Sequence, residues 1–517
     1  MPKNRKLPLR TPWLLRIGVA AYLGTTILCP VPAAHAQSRA QLAPAPPDAP
    51  QPNVNQSVLP VGQSSVSSIS SSVQLAPPYS TSVSAPDASG SSLTLTIDEA
   101  IRRGLMYNLG AIEAAQRDRA AHASVLNSES ALLPNVTANF TENVERVNLA
   151  AEGFDASSLP SIGEYFPAAL GPFHFYTAEV QVSHDAFDLV AIRNYLAARE
   201  QGQAAGFSYR DAHEQIVLAV AATYLQVLAQ DARVSSAESQ VKYAQTVYDQ
   251  ALQQRATGLK STLEVNRSRV QLQIRQQQFI AQVGESRKQK MVLARLIGLS
   301  VDRDLILTGQ LVPTSLPMPN LDELYQQAME RYDLQALKAR VRAAEESRQA
   351  ATAERMPSVH LNGYFGVEGG TLISGSSVYS GTGTVSVPIF NGGQTRSDIQ
   401  QADANLQRER ATLSAKQQDI RFEIRSAWID EDTASKQLTV AEENRSLAEE
   451  TVQQSIDRFK LGAADSVEVS QSEDDLSVAE QDYINSLYSL RLAQMSLARA
   501  VGTAEKDVPG ILKGASR

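Results

Sequence analysis

Thiols, aromatic rings and basic runs are what this chain has least of. Its 517 residues include one cysteine, Cys29, and only 6% are aromatic. A lone thiol excludes an internal disulfide framework and any cysteine-rich metal site. So few rings exclude a core built on bulk. The hydrophobic 43% leans heavily on alanine, which suits closely packed helices, as in bundles or coiled coils. The net charge of −8 is mild, and no Lys/Arg-rich run beyond the N-terminus offers a surface for nucleic acid. After the N-terminal segment no stretch reads as a transmembrane helix, so any membrane crossing falls to strands.

Catalytic constellations are missing as well. His122, His174, His184, His213 and His360 are scattered, with no two spaced one helical turn apart as metal ligands would be. His184-Asp185 is the one suggestive pair, but no serine stands at motif spacing from it. No glycine loop is suited to a phosphate. No catalytic, cofactor or metal residue is assigned, and the chain reads as a non-enzyme.

What is present begins with an export signal. Lys3, Arg5, Lys6 and Arg10 precede an apolar stretch at 17–28, and Ala34-His35-Ala36 supplies small residues before a cut. Residues 1–36 are therefore expected to be removed, with a mature start at Gln37. Cys29 lies between Leu28 and Pro30, unlike a lipid-attachment cysteine, and would leave with the signal. Residues 37–92, rich in Pro, Ser and Ala and poor in charge, read as a disordered leader.

Beyond the leader the chain repeats itself at an offset of 204. Gly258 recurs as Gly462, Gly298 as Gly502, Glu264 as Glu468, Tyr224 as Trp428, and Leu293-Ala294-Arg295 as Leu497-Ala498-Arg499. An offset kept without a gap over such a length means one structural unit used twice. The expected halves are 93–312 and 313–507, with 508–517 as a tail.

Each half opens with a helix signal, Thr96-Ile97-Asp98-Glu99 or Asn320-Leu321-Asp322-Glu323, and that helix stops before Pro134 or Pro357. These prolines stand 223 apart, so the halves differ slightly in length before the strict register begins. Past each proline the period becomes two. Val136, Ala138 and Phe140 alternate with polar neighbours, and 173–182 forms the return strand of a first hairpin. Val359, Leu361, Gly363 and Phe365 start a second, with a Gly/Ser-rich loop at 369–383 and a return strand at 384–390. Long proline-free helices follow, from about 189 to 257 and from 395 to 461. At about 1.5 Å per residue each spans close to 100 Å. Return helices of about 35 residues come back after Gly258 and Gly462, and opening helices of similar length complete a rod two helices wide. Heptads mark the seams: Thr223, Gln230, Ala237, Ala244 and Ala251, matched by Ala427, Ala434, Ala441, Ala448 and Ser455.

This arrangement resembles the outer membrane efflux protein family, the TolC-like outer membrane factors. The carrying residues are the strand-to-helix junction Val387-Pro388-Ile389-Phe390-Asn391-Gly392-Gly393 and the tips around Gly258, Leu259, Ser261, Leu263 and Glu264 and around Leu461, Gly462, Asp465, Val467 and Glu468. The first half departs at its own junction, reading Val182-Ser183-His184-Asp185-Ala186-Phe187-Asp188 without the double glycine.

The resemblance implies a mainly α fold with a β-barrel part. A homotrimer would contribute four strands per chain to a twelve-stranded transmembrane barrel in outer membrane lipid, above a coiled-coil tunnel crossing the periplasm. The function implied is the exit duct of a tripartite efflux pump or type I secretion system. Its partners would be a periplasmic adaptor (a membrane fusion protein) and an inner membrane transporter. Glu468, Asp465 and Glu264 fall where the resemblance puts a constriction of carboxylates, although Gln471 stands where a second acidic ring is expected. Gly258, Leu259, Ser261, Leu263, Leu461, Gly462 and Val467 would dock the adaptor, or simply turn the chain. Pro388, Phe390, Gly392 and Gly393 would form the junction. The alternatives are a periplasmic coiled-coil adaptor or a structural surface coiled coil. Neither needs twin strand pairs.

Overall fold

A computed structural model of the chain describes residues 79–85, 92–148, 151, 169–313, 318–370 and 374–513. The expected signal, its Cys29 and most of the leader lie outside these residues. The first half runs β1 (Leu93–Leu95), α1 (Ile97–Tyr107), α2 (Leu109–Ser130), β2 (Asn135–Asn148), β3 (Ala169–Phe187), α3 (Leu189–Ala256) and α4 (Thr262–Leu296). After β4 (Leu305–Leu307), the second runs α5 (Leu321–Ala328), α6 (Tyr332–Ala353), β5 (Ser358–Gly369), β6 (Ser376–Ser386), α7 (Gln394–Lys460) and α8 (Ser466–Val501), with α9 (Ala504–Lys513) closing the chain.

Local chemistry accounts for the helix ends. The Thr96 hydroxyl accepts from the Glu99 amide at 3.2 Å, and the Asn320 side chain accepts from the Asp322 amide at 3.1 Å. Both are N-caps that satisfy orphan amides of the first turn. The two long helices begin by different means. Asp188 caps α3, its carboxylate accepting from the Val190 amide at 2.8 Å. Before α7, Gly392 and Gly393 take φ of +66° and +94°, a conformation that favours glycine. The first half therefore starts its long helix without the double glycine by using a carboxylate cap.

The four hairpin strands form one antiparallel sheet in the order β2-β3-β5-β6, so the hairpins of the two halves join through β3 and β5. Register fixes which residues share a face. One row across the sheet is Ala138, Val180, Phe365 and Tyr379, and the neighbouring row of opposite parity is Thr137, Gln181, Tyr364 and Ser380. The first face also carries Val136, Phe140, Val182, Leu361 and Val367, every one of them exposed. The opposite face carries Asn139, Glu179, Ser183, Asn362 and Thr382.

The second hairpin is longer toward its turn, and shorter at its far end, than the sequence suggests. Most of the expected 369–383 loop is strand, because β5 runs to Gly369 and β6 starts at Ser376. Glycine and serine are poor strand formers alone, but pairs such as Gly363 with Gly381 extend an existing ladder. The expected return strand at 384–390 ends instead at Ser386, just before Pro388, which lacks the amide a ladder needs.

Helix packing follows the expected seams. Thr223, Gln230, Ala237, Ala244 and Ala251 are all buried, as are Ala427, Ala434, Ala441 and Ser455. Small residues there let the helices approach closely. One window of α3 is, against expectation, long and apolar enough to cross a membrane, but 78% of it is buried within the fold. Its apolarity serves the largest core, where Ile216, Val217, Val220, Tyr224 and Leu225 meet α1, α4, α8 and α9.

The opening helices are each broken in two, which the sequence did not suggest. The breaks fall at Asn108 and Arg331, at the same 223-residue spacing as the prolines. Asn108, fully buried, caps α2 by accepting from the Gly110 amide at 2.9 Å and donates to the Tyr79 carbonyl at 2.9 Å. Arg331 reaches the Ala500 carbonyl at 2.7 Å. Residues 79–85, inside the expected disordered leader, pass alongside: the Val83 amide donates to Tyr107 at 2.8 Å and the Ala85 amide to Gly298 at 2.9 Å. β1 and β4 pair in parallel nearby. Tyr224 and Trp428, equivalent in the repeat, both tie this region, to the Leu95 carbonyl at 3.2 Å and the Pro319 carbonyl at 3.1 Å. The stretch set apart as a tail opens inside α9, whose Val508, Ile511 and Leu512 are buried.

Candidate functional site at the helical tips

Both tips turn by the same backbone device. Gly258 and Gly462 adopt φ of +76° and +74°. The Leu259 amide reaches back to Gln254 at 2.8 Å, and the Ala463 amide to Arg458 at 2.9 Å. The glycine amides close the inner bonds, to Arg255 and Phe459, each at 3.0 Å. This six-to-one, five-to-two pair is the Schellman motif, for which a left-handed glycine is the ordinary choice. It leaves leucines at the apex: Leu259 is 76% exposed and Leu461 85%. Leu263 and Val467 are exposed on the flanks of the returning helices.

The three expected carboxylates take three different roles. Asp465 is the N-cap of α8, its side chain accepting from the Glu468 amide at 3.0 Å. Its equivalent in the repeat, Ser261, makes no side-chain cap bond. Glu468 sits in the first turn of α8, where a negative charge is favoured, with the Arg458 guanidinium 3.3 Å away and 39% of its side chain exposed. Glu264 occupies the matching place on α4 but is 13% exposed. It accepts from the hydroxyl and, at 3.4 Å, from the amide of Ser466, and from Arg267 at 3.0 Å. The Ser466 hydroxyl holds the Glu264 carboxyl below the usual range, partial burial opposes this, and Arg267 adds to it.

Glu264 is thus one of a set of bonds locking the two tips together. Lys260 donates to the Ala464 carbonyl at 3.1 Å while its ammonium lies 5.5 Å from the centre of the Phe459 ring. Gln254 donates to the Phe459 carbonyl at 3.1 Å. Beneath them Val247, Ala251, Val265, Val452, Ile456, Phe459 and Val469 form an apolar cluster drawn from all four helices. Sequence reasoning did not single out Gln254, Lys260, Phe459 or Ser466. A usable signal was there: the repeat puts Lys260 opposite Ala464, its own contact partner, and a lysine replaced by alanine at equivalent places marks a site used asymmetrically.

At the other end of the rod, Pro388 to Asn391 form no regular structure, and Ile389 and Phe390 are 96% and 89% exposed. Across the sheet, His360 Nδ1 lies 2.5 Å from Asp185 Oδ1, joining β5 to β3. Among the described residues no group of three or more His, Cys, Asp or Glu is placed to hold a metal.

The profile of the outer membrane efflux protein family matches residues 324–503. The chain is 26% identical to the pyoverdine export outer membrane protein OpmQ of Pseudomonas putida, over 78% of this chain and 84% of that one. It is 24% identical to the probable outer membrane lipoprotein SilC of Salmonella typhimurium, over 63% and 72%. Residues 324–503 thus match the outer membrane efflux protein family, and the rest of the chain resembles its members at lower identity. The fold agrees. The crystal structure of the Campylobacter jejuni CmeC outer membrane channel superposes with a TM-score of 0.68 at 16% identity, over 81% of this chain and 90% of that one. A crystal structure of CusC gives 0.66 at 19%, over 78% and 92%. In this chain the family match covers most of the second half, and the curated relatives extend the likeness into the first. Both halves of the repeat therefore have counterparts in outer membrane channel proteins.

Proposed function

We propose that the chain is the outer membrane exit duct of an efflux pump or a type I secretion system, built from three copies. The observation that carries this is the two-faced sheet. Its apolar face, from Val136 to Tyr379, is exposed, its other face is polar, and its edge strands β2 and β6 each pair on one side only. Alternation of this kind, in strands of 11 to 19 residues, suits a wall with lipid outside and water within. In lipid an open edge leaves backbone groups unpaired at several kcal/mol each, so the sheet must close. Three copies of a four-stranded sheet close into a barrel wide enough for an aqueous lumen.

The stem supports assembly. α7 presents Phe422, Ile429, Val440 and Leu447 outward, and α4 presents Val270, Ile274 and Ile280. Apolar side chains exposed along helices of this length mark surfaces to be covered, and packing of α7 on α4 of the next copy covers both. Threefold symmetry then brings three copies of Glu468 and Asp465 together at the tips as a cation-attracting constriction. The bare leucines Leu259 and Leu461 receive a periplasmic adaptor, which links the duct to an inner membrane transporter. Relatives are named for pyoverdine export and for cation efflux, so the choice of cargo is assigned to those partners.

The test is membrane fractionation of the expressed protein, gel mobility with and without heating, and conductance in planar bilayers. The expected result is an outer membrane, heat-modifiable trimer that forms ion-conducting pores. A soluble, non-conducting monomer refutes the reading.

A further inference from the structure

Behind the tip carboxylates lies a buried acid that they leave unused. Glu473, on α8 about 10 Å from that helix's start at ~1.5 Å per residue, is 6% exposed. Its Oε1 has no hydrogen-bond partner. Across from it on α4, Arg275 is 3% exposed, and its Nε is also unpartnered. The guanidinium is held from one side only, donating to Asp474 at 2.5 Å and to Gln278 at 3.0 Å. An unsatisfied carboxylate oxygen and an unsatisfied guanidinium nitrogen, both buried where the halves meet, are each costly as they stand.

We propose that Glu473 and Arg275 form a proton-operated latch between α4 of the first half and α8 of the second. With Glu473 neutral, no charge is stranded. Arg275 is held by Asp474 and Gln278, and the helices stay packed. With Glu473 ionised and Arg275 still held by Asp474 and Gln278, the carboxylate is left without a partner and must leave the interface, which loosens α8 from α4. The charged groups acting on Glu473 are Arg275 from α4 and Asp474 beside it. In this layer of the stem α3 and α7 supply the apolar Val247, Ala251, Val452 and Ile456.

The direction follows from the environment. Burial raises the Glu473 carboxyl to about 7, Arg275 pulls it down and Asp474 pushes it up. A splayed arrangement that exposes Glu473 returns it to the ordinary carboxylate range. The packed state therefore binds the proton more tightly, and acid favours packing. The packed-to-splayed ratio rises up to about tenfold per pH unit as pH falls from about 7 to about 5, and is flat above 7. The consequence for conduction, easier opening of the tips above neutral pH, rests on the channel reading. The latch itself does not.

The experiment uses the full-length protein in detergent, as wild type, Glu473→Gln and Asp474→Asn. Hydrogen exchange of 466–480, corrected for intrinsic rates, is expected to lose protection in the wild type by about tenfold or more between pH 5.5 and 7.5. Glu473→Gln, fixed in the neutral shape, should stay protected throughout. Infrared spectroscopy should show a protonated-carboxyl band that fades near neutral pH and is missing from Glu473→Gln. In Asp474→Asn, where Arg275 is freed to face Glu473, the band should fade at lower pH. Equal pH profiles in the wild type and Glu473→Gln, or no downward move in Asp474→Asn, overturn the latch. Pore formation is read separately on the same samples. Protein that keeps the exchange switch but forms no pores refutes the duct and supports the latch.

Discussion

The break between α5 and α6 makes a quantitative test possible. Arg331 is 2% exposed, and its guanidinium grips Asp333 through Nε at 3.0 Å and Nη2 at 2.7 Å. Its Nη1 reaches Glu423 and the Ala500 carbonyl, each at 2.7 Å. Burial would raise the Asp333 carboxyl, but Arg331, helped by Lys416 at 3.1 Å, brings it down to about 2 from an ordinary 3.8. That gap corresponds to about 2.4 kcal/mol of stability. The folded value is the lower one, so this stability is present above pH ~4 and is lost as pH falls through about 2. Arg331→Met removes the main cation, leaving the buried Asp333 carboxylate with Lys416 alone as counter-charge and the Ala500 carbonyl without its guanidinium donor, at a cost of about 3 kcal/mol near neutral pH. It should also flatten the acid loss. Asp333→Asn in the Arg331→Met background should recover at least ~1 kcal/mol, because the two act as one unit. Urea unfolding followed by Trp428 fluorescence reads this directly. The indole packs in the same cluster as Leu334, and the other tryptophan, Trp13, lies in the expected signal. Costs that add to within ~0.5 kcal/mol would refute the coupling.

Three further outcomes follow from the tips. Gly462→Ala puts a side chain at φ +74° with free space around it, so only backbone strain of about 1–2 kcal/mol applies; limited proteolysis at 458–466 should quicken while the rest of the chain stays resistant. Glu468→Ala should weaken the cation preference of the pore in planar bilayers, and unchanged ion selectivity would remove its luminal role. Leu259→Asp with Leu461→Asp should abolish cross-linking to the adaptor while leaving conductance intact, whereas retained cross-linking would move the docking surface elsewhere.

Elements held by short-range chemistry were legible in the residues, and elements held by distant bonds were not. The proline-free runs and the buried alanine heptads announce α3 and α7, because one period repeated over so many residues leaves little choice. The alternation around Val136 and Phe140 announces a strand for the same reason. Asn108, a cap former between Gly104 and Gly110, carries a weak local signal, but nothing near Arg331 breaks the helical pattern. Their partners, Tyr79 and Ala500, lie 29 and 169 residues away. The strand character of 369–383 was hidden in the same way, since Gly363 and Gly381 gain their preference from each other. The tip carboxylates carry the point furthest. Glu264 and Glu468 hold equivalent places in the repeat, with the same first-turn position and the same attraction to a helix start. Packing separates them: Ser466 closes over one, and Arg458 leaves the other partly open to water. A repeat can specify where acids stand, but only the contact between its two copies decides which of them stays free to meet an ion.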